Sequence, residues 1–384
     1  MSKEKIWLSS PHMGGNELKY IHNAFDQNWI APLGPNVNGF ENDIKSYLDP
    51  ADSEGLEVAA LSSGTAALHL SLIQLGVGPE DEVICQSMTF AASANPIMYL
   101  GAKPIFVDSE RDTLNICSEQ LEIAIKDRIS KGKKPKAIIA VHLYGMPYKV
   151  DEIQSISEKY EIPIIEDSAE ALGSKYKNRN CGTLGDFSIL SFNGNKIITT
   201  SGGGALVTRS IEEKQRTVFL ATQARDDAPH YQHSEIGYNY RLSNISAGIG
   251  RGQMEVLDKR VEARRDMFQF YVNLFLSETG VKVHKEPSDD FFSNHWLTVI
   301  EVDEDETNGI SREDLRKCLE EENIESRPLW KPMHMQPVFQ QYPFYGTGVA
   351  ENLFKNGLCL PSGSNLTDND RDRLKMAILN CLKK

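Results

Sequence analysis

The sequence contains few cysteines, and their spacing is unlike that of the sites cysteines most often build. There are six in 384 residues, with no C-x-x-C pair and no cluster with histidine at metal-ligand spacing. We therefore expect neither a disulfide framework nor a metal site, and a reducing compartment suits such a chain. The six positions are Cys85, Cys117, Cys181, Cys318, Cys359 and Cys381.

The sequence also lacks features that direct a protein to membranes or nucleic acid. No apolar run approaches the roughly 20 residues that a membrane-spanning helix needs, and residues 1–10 lack the apolar core of a signal peptide. The formal net charge of -13 disfavours nucleic acid and anionic membranes as partners. We expect a cytoplasmic protein, in which local Lys and Arg side chains or helix N-termini would have to attract any anionic substrate.

Two common nucleotide-binding motifs, G-x-G-x-x-G and G-x-x-x-x-G-K-[ST], are absent as well, which disfavours a nucleotide-dependent dehydrogenase. The composition, with 40% hydrophobic and 25% charged residues, is that of an ordinary globular protein. At roughly 150 residues per domain, the length allows two or three domains.

Short β-branched runs alternate with amphipathic helical patterns over residues 57–208, which predicts a mostly parallel central sheet with helices on both faces. In such an α/β fold a ligand lies at the carboxyl ends of the strands. Helices are predicted at 66–76, 118–130 and 150–160. The predicted strands are 58–61, 82–85, 104–107, 137–141, 162–165, 187–192 and 205–208.

The pattern changes after residue 209. One long helix is predicted over 245–277, followed by a strand at 296–302, a helix at 311–322 and a segment rich in proline and aromatic residues at 327–345. We interpret residues 1–255 as a large domain and 256–384 as a smaller C-terminal α+β domain.

Four polar or aromatic positions follow successive predicted strands. S-S-G-T-A-A-L at 62–68 is a small-residue turn into a helix, where backbone N–H groups can bind an anion. Asp167 ends the strand I-P-I-I-E-D, Lys196 follows the strand that ends at Phe192, and Phe90 follows another strand. An enzyme that uses pyridoxal 5'-phosphate (PLP) needs these groups: a phosphate site, a carboxylate for the pyridine nitrogen, a lysine for the aldehyde and an aromatic face.

Each position also has an ordinary explanation when it is taken alone. A Gly-Thr turn at a helix start is usually a cap, an Asp at a strand end usually caps the next helix, and a Lys in a glycine-rich loop is usually solvated. The occurrence of all four at successive strand ends favours the PLP hypothesis.

Several segments resemble the PLP-dependent nucleotide-sugar aminotransferases of the DegT/DnrJ/StrS type. The segment around the lysine, S-F-N-G-N-K-I-I-T-T-S-G-G-G at 191–204, is similar to the active-lysine segment of that family. The resemblance continues over nearly the whole chain. Its other segments are L-S-S-P-H-M-G-G at 8–15, G-Y-N-Y-R-L at 237–242, R-P-L-W-K-P-M-H at 327–334 and C-L-P-S-G at 359–363.

The resemblance implies fold type I and a homodimer with active sites at the subunit interface. It makes Lys196 the residue that holds PLP as a Schiff base, and Asp167 the partner of the pyridine nitrogen. It implies that Arg241 binds the carboxylate of the donor L-glutamate, although a structural ion pair is an equal alternative. The implied phosphate ligands are Gly64, Thr65 and Ser191 of one subunit and Asn239 of the other.

Glu170 bears on the acceptor substrate. Many members have His or Gln three residues after the Asp, whereas this chain reads E-D-S-A-E-A-L-G at 166–173. The sequence looks most like the enzymes that aminate C4 of UDP-4-keto-6-deoxy-N-acetylglucosamine for bacterial glycans. Glu170 is a candidate sugar-binding residue or an ordinary helix-start carboxylate. His12, Lys331 and His334 lie in segments that the resemblance places near the substrate.

Other functions stay open at this point. The same chemistry could act at C3, with opposite stereochemistry at C4, or on a dTDP- or GDP-linked sugar. A related PLP-dependent sugar dehydratase has histidine in place of the lysine, so Lys196 argues against it. A non-catalytic PLP-binding regulator is disfavoured by the intact set of lysine, carboxylate and phosphate site.

Overall fold

A computed structural model describes residues 3–383. Hydrogen bonding divides its strands among three sheets, the largest of which has eight strands in the order β1-β9-β8-β5-β4-β2-β3-β14 once they are numbered along the chain. The strands are β1 (Glu57–Leu61), β2 (Glu82–Gln86), β3 (Lys103–Val107), β4 (Ala137–Val141), β5 (Ile164–Asp167), β6 (Lys175–Tyr176), β7 (Arg179–Asn180), β8 (Phe187–Ser191), β9 (Gly204–Thr208), β10 (Val281–Val283), β11 (Phe291–Phe292), β12 (Thr298–Val302), β13 (Arg327–Pro328), β14 (Phe344–Tyr345) and β15 (Gly357–Leu360).

The helices cover these sheets and connect their strands. No helix within residues 3–383 combines the length and the apolar character needed to cross a membrane. The helices are α1 (Glu17–Asp26), α2 (Pro35–Leu48), α3 (Gly64–Gln74), α4 (Ala91–Tyr99), α5 (Ser118–Ser130), α6 (Val150–Tyr160), α7 (Ile211–Ala221), α8 (Asn244–Met254), α9 (Leu257–Leu274), α10 (Arg312–Glu321), α11 (Val349–Asn356) and α12 (Asp368–Leu382).

The central sheet is mostly parallel, as predicted. Every neighbouring pair from β8 to β14 is parallel, and only β9 runs antiparallel to its two neighbours, β1 and β8. The sheet is covered on both faces because side chains alternate along each strand. In β2, Val83 and Cys85 face the core that includes α3 and α4, whereas Ile84 faces the core that includes α5 and α6.

A second, antiparallel sheet in the order β10-β12-β15-β13 lies in the C-terminal part of the chain. Its apolar face packs against α9, α10 and α12. Ile6 belongs to the same core, since its backbone N–H donates to the Asn323 carbonyl and its carbonyl accepts from Glu325. The N-terminal segment therefore packs on this C-terminal unit.

The prediction of one helix over 245–277 is wrong, because the chain turns at residues 255–256 and forms α8 and α9 instead. The contacts of α8 fix its direction: a Cβ on Gly250 would lie 2.6 Å from the Phe40 ring, and one on Gly252 would lie 2.7 Å from the backbone nitrogen of Glu17. This close packing on α1 and α2 sets the axis of α8 independently of α9.

The expectation that the cysteines form no disulfide framework did not anticipate one pair. Cys318 on α10 and Cys381 on α12 form a disulfide across the contact of those two helices. The sequence separation of 63 residues gave no local signal for this pair, and the helix packing brings the two side chains together.

Candidate active site

A cleft of about 700 Å³ opens at the carboxyl ends of the parallel strands. It contains the turn after β1, the residues after β2, the end of β5 and the loop after β8. The predicted residues that line it are Gly64, Thr65, Phe90, Asp167, Glu170, Ser191 and Lys196. The fold thus brings together seven side chains or backbone segments that the sequence places up to 132 residues apart, from 64 to 196.

The turn after β1 has the form of an anion site. Ser63 caps α3, with its Oγ accepting a hydrogen bond from the Ala66 N–H at 3.0 Å. Gly64 begins α3 next to the end of β8, and a Cβ there would lie 3.2 Å from the Ser191 Cβ. Gly204 approaches the same turn still more closely, since a Cβ added to it would lie 2.3 Å from the Gly64 nitrogen. These glycines let the helix N-terminus and Ser191 face one small space, which suits a phosphate.

Asp167 is the last residue of β5 and is only 6% exposed. Its Oδ2 accepts a hydrogen bond from Ser93 Oγ at 2.7 Å, and its Oδ1 accepts from the Ala169 N–H at 3.2 Å. Thr89 Oγ1 in turn lies 2.7 Å from Ser93 Oγ. A buried carboxylate oriented in this way is the group that a protonated pyridine nitrogen requires.

Lys196 lies in the loop that joins β8 to β9. The loop is closed by hydrogen bonds from the Phe192 N–H to the Gly203 carbonyl and from the Thr200 N–H to the Phe192 carbonyl. The Lys196 Nζ lies 3.2 Å from Glu170 Oε1 and 4.4 Å from the ring centre of Trp296. Trp296 also donates its indole N–H to the carbonyl of Asn195 at 2.7 Å, so it holds the backbone beside the lysine.

Glu170 is buried at 4% exposure and ion-paired with Lys196. Its other oxygen, Oε2, accepts from the Tyr144 N–H at 2.7 Å. Burial raises the pKa of Glu170 to about 7; the charge of Asp167 acts in the same direction, and Lys196 and the Tyr144 N–H oppose it. The carboxyl group therefore changes its charge near neutral pH.

His142 follows β4 and is fully buried, as expected of a structural histidine. Its Nε2 lies 2.7 Å from Glu166 Oε1, and its ring stacks on Tyr148. Among the His, Cys, Asp and Glu side chains of residues 3–383, one group of three is close enough to share a metal ion. It consists of His142, Glu166 and Cys181. Backbone N–H groups of Gly182, Leu184 and Gly185 already donate to the Glu166 carboxylate, which explains this group as a structural one.

Five predicted site residues do not line the cleft of their own chain. Arg241 forms an ion pair with Glu41 and also donates to the Ala60 carbonyl at 2.8 Å, which matches the structural alternative for this residue. Asn239 is exposed. The other three residues outside the cleft are His12, Lys331 and His334. The roles of all five toward a substrate or a second subunit stay predictions.

His12 and His334 have partners within the chain. His12 lies 3.1 Å from Ser364 Oγ, and burial together with the charge of Arg260 lowers its pKa. His334 lies 2.7 Å from Ser87 Oγ and stacks on Phe344.

Sequence reasoning missed Ser93, Tyr144 and Trp296. Ser93 had a usable signal, because a hydroxyl in the first turn of a helix after a strand end points back toward neighbouring strand ends. Tyr144 adopts a left-handed backbone conformation, φ 54° and ψ 19°, and nothing in its local sequence indicates that. Trp296 is 100 residues from Lys196 and reaches it only through the tertiary fold.

These residues fit PLP. The glycine-lined space at the start of α3 would hold the phosphate, Asp167 would face the pyridine nitrogen, and Lys196 would reach the aldehyde. The fit depends on Gly204, which admits no side chain, on the close approach of Gly64 to Ser191, and on a buried carboxylate with defined donors.

Gly204→Ala tests this construction. The new Cβ would meet the backbone of Ser63 and Gly64, which cannot move as a flexible side chain can. We expect a loss of at least about 2 kcal/mol in the free energy of unfolding and a much weaker retention of PLP on dialysis. Gly78→Ala is the control, since an added Cβ there meets no atom within 4 Å. Normal stability and PLP content in Gly204→Ala would show that the phosphate space is elsewhere.

Comparison with known proteins agrees with this geometry. Residues 11–379 match the DegT/DnrJ/EryC1/StrS aminotransferase family. EpsN of Bacillus subtilis (strain 168), provisionally named a pyridoxal phosphate-dependent aminotransferase, is 52% identical over 98% of this chain and 95% of its own. GDP-perosamine synthase of Caulobacter vibrioides is 36% identical over 97% of each chain.

Solved structures show the same similarity. The crystal structure of a DegT DnrJ EryC1 StrS aminotransferase from Brucella abortus has a TM-score of 0.87 and 30% identity, with 96% of each chain covered. The chain thus has the aminotransferase fold inferred from its sequence. It belongs to the DegT/DnrJ/EryC1/StrS aminotransferase family and is an enzyme, a PLP-dependent sugar aminotransferase.

Proposed function

We propose that this enzyme moves the amino group of L-glutamate to the C4 keto group of a UDP-linked 4-keto-6-deoxy-N-acetylhexosamine, for bacterial glycan biosynthesis. The observation that carries amino transfer is the meeting of Lys196, Asp167 and the Gly64 turn in one cleft. The UDP-sugar itself is supported by the resemblance of P-H-M-G-G at 11–15, N-G-N-K at 193–196 and Glu170 to the UDP-sugar C4-aminotransferases.

The roles of the residues follow from their positions. PLP, when bound, supplies an aldehyde that takes up the amino group and a ring that stabilises negative charge at the donor's α-carbon. Lys196 Nζ would take the proton from that α-carbon and pass it to the aldehyde carbon of the cofactor. In the second half-reaction it would take that proton back and supply it to C4 of the sugar. Asp167 maintains a positive charge at the pyridine nitrogen, and the N-terminus of α3 with Ser191 neutralises the phosphate.

The mouth of the cleft has groups suited to a nucleotide. Trp330 and Arg327 line the cleft, and the Trp330 ring centre lies 5.5 Å from that of Phe90, the residue predicted to stack on the PLP ring. An aromatic face such as that of Trp330 can stack on a base, and an arginine can bind a diphosphate. In a protein of net charge -13, such local cations are needed, and Arg241, Lys331 and His334 remain candidates for binding the two anionic substrates. His12, whose pKa is lowered, remains a candidate for a hydrogen bond to substrate.

A GDP-linked acceptor is the second candidate. The observation that favours it is the 36% identity to a protein named GDP-perosamine synthase, whose name gives a GDP-linked product. The same residues would perform the same proton transfers, and only the groups that bind the base and the sugar would differ.

We further propose a cytoplasmic homodimer in which Asn239 reaches the phosphate of the neighbouring subunit. Its exposure and its position outside the cleft of its own chain support this. The division into domains at residues 255 and 256 is proposed as well, with the qualification that Ile6 packs in the core of the C-terminal unit.

The acceptor is tested by loading the enzyme with amino groups from glutamate and then adding UDP-, GDP- and dTDP-linked 4-keto and 3-keto sugars. The return of the cofactor spectrum from the pyridoxamine to the pyridoxal form measures transfer. We expect the UDP-linked 2-acetamido-4-keto-6-deoxy sugar to react fastest. A faster reaction with a GDP- or dTDP-sugar would contradict the UDP assignment and leave amino transfer intact.

The dimer is tested by mixing two impaired variants, Lys196→Ala and Asn239→Ala. If Asn239 serves the neighbour's site, each heterodimer contains one site with both defects and one with neither. We expect mixing and exchange to recover up to about half of the wild-type activity in each verified heterodimer, because catalysis needs one complete set of groups. Heterodimers without any gain would place Asn239 in its own subunit's site or in none.

A further inference from the structure

The Glu170 carboxylate is held in place by one contact at each of its two oxygens. One carboxylate oxygen lies 3.2 Å from the Lys196 Nζ, and the other accepts from the Tyr144 N–H at 2.7 Å. The side chains of Glu170 and Lys196 are 4% and 11% exposed. Both carboxylate oxygens therefore have a partner within the protein, and one of them is the Lys196 Nζ.

The surrounding backbone is built to maintain this contact. Asn294 Nδ2 donates to the carbonyls of Glu170 and Leu172 at 2.8 and 2.9 Å. Tyr144 keeps a left-handed conformation that is unfavourable by about 1–3 kcal/mol for a residue other than glycine. That conformation aims its N–H at the carboxylate. Strain of this kind persists where the neighbouring structure enforces it.

The charged and titratable groups around Glu170 come from four elements. Lys196 and Asp167 act on it with opposite signs, while Tyr144 donates its N–H. Cys359 is buried beside the Tyr144 hydroxyl and interacts with the charge of Glu170. Burial, the largest cause, raises the pKa of Glu170 to about 7, so both of its protonation states are accessible near neutral pH.

We propose that Glu170 is the proton partner of Lys196: it accepts a proton from the lysine ammonium when the amine must be free, and returns it afterwards. In this exchange an N–H bond at Nζ breaks as an O–H bond at Oε1 forms, and no other bond changes. A glutamine or a carboxylate turned toward the sugar could not do this. The inference rests on the amino transfer itself and not on the identity of the acceptor sugar.

Because Lys196 works in both half-reactions, Glu170→Gln should slow both. Gln keeps the size of Glu and an oxygen for the Tyr144 N–H, so the fold is retained. We expect each half-reaction to fall by a similar factor of about 10- to 100-fold, at or below the lower end of general acid–base effects, because Lys196 itself is retained. The kinetic isotope effect with α-deuterated glutamate should rise, which loss of a structural contact alone would not cause. Glu158→Gln, at an exposed position on α6, is the matched control.

The apoenzyme supplies a readout that needs neither substrate nor PLP. The folded pKa of Glu170 is raised above its ordinary value of 4.5. Its contribution to stability is therefore fully present below about pH 4.5 and is lost as pH rises through 7. The melting temperature of the wild type should fall relative to that of Glu170→Gln between pH 5.5 and 8.5, whereas Glu158→Gln should follow the wild type.

Two results would overturn the inference. One is a glutamate half-reaction that stays at the wild-type rate while only the sugar half-reaction is slowed, which would make Glu170 a sugar-binding residue. The other is an unchanged pH dependence of the melting temperature in Glu170→Gln. If no sugar in the panel accepts the amino group, the proposed acceptor fails, while the rate of the glutamate half-reaction and the apoenzyme measurement still test the role of Glu170.

Discussion

The parallel pairing of β5 with β8 is the constraint on which the site depends. It sets Asp167 opposite Ile189, so that the chain leaves β8 two residues later at the same edge of the sheet. The loop to β9 then carries Lys196 back over that edge. Since both strands are buried and hydrogen-bonded on both sides, the sheet fixes Asp167 and the start of the loop that carries Lys196. Hydrogen bonds within that loop and from Trp296 to the Asn195 carbonyl then position the lysine.

The same edge also controls charge. Asp167 receives hydrogen bonds from Ser93 and a backbone N–H, whereas Glu170, three residues later, has one cation and one N–H in a buried space. Two carboxylates of one turn thus have different surroundings, which suits the different tasks proposed for them. Asp167 would face the ring nitrogen of PLP, and Glu170 contacts the lysine. Environments that separate two acids in this way are a common means of assigning distinct proton-transfer roles.

Much of this arrangement could be predicted from the sequence, because strands and turns have local sequence patterns. The apolar run at 137–141 is observed as β4 with unchanged bounds, and the turn at 62–68 is observed as a capped helix start. The predicted strand at 162–165 is shifted in the structure to Ile164–Asp167, since Pro163 has no N–H to donate to a neighbouring strand.

What could not be predicted depends on packing between distant segments. The break between α8 and α9 follows from close contacts with α1 and α2, and the Cys318–Cys381 disulfide follows from the contact of α10 with α12. Trp296 over Lys196 and the strained Tyr144 beside Glu170 likewise need the assembled fold.

The central claim is that Lys196 binds the cofactor and moves the protons. It is tested most directly by reducing the PLP-loaded enzyme with borohydride, digesting it and locating the pyridoxyl group by mass spectrometry. We expect a stable label on Lys196 and none in Lys196→Ala. A label on any other lysine of the wild-type enzyme, with Lys196 unmodified, would contradict it.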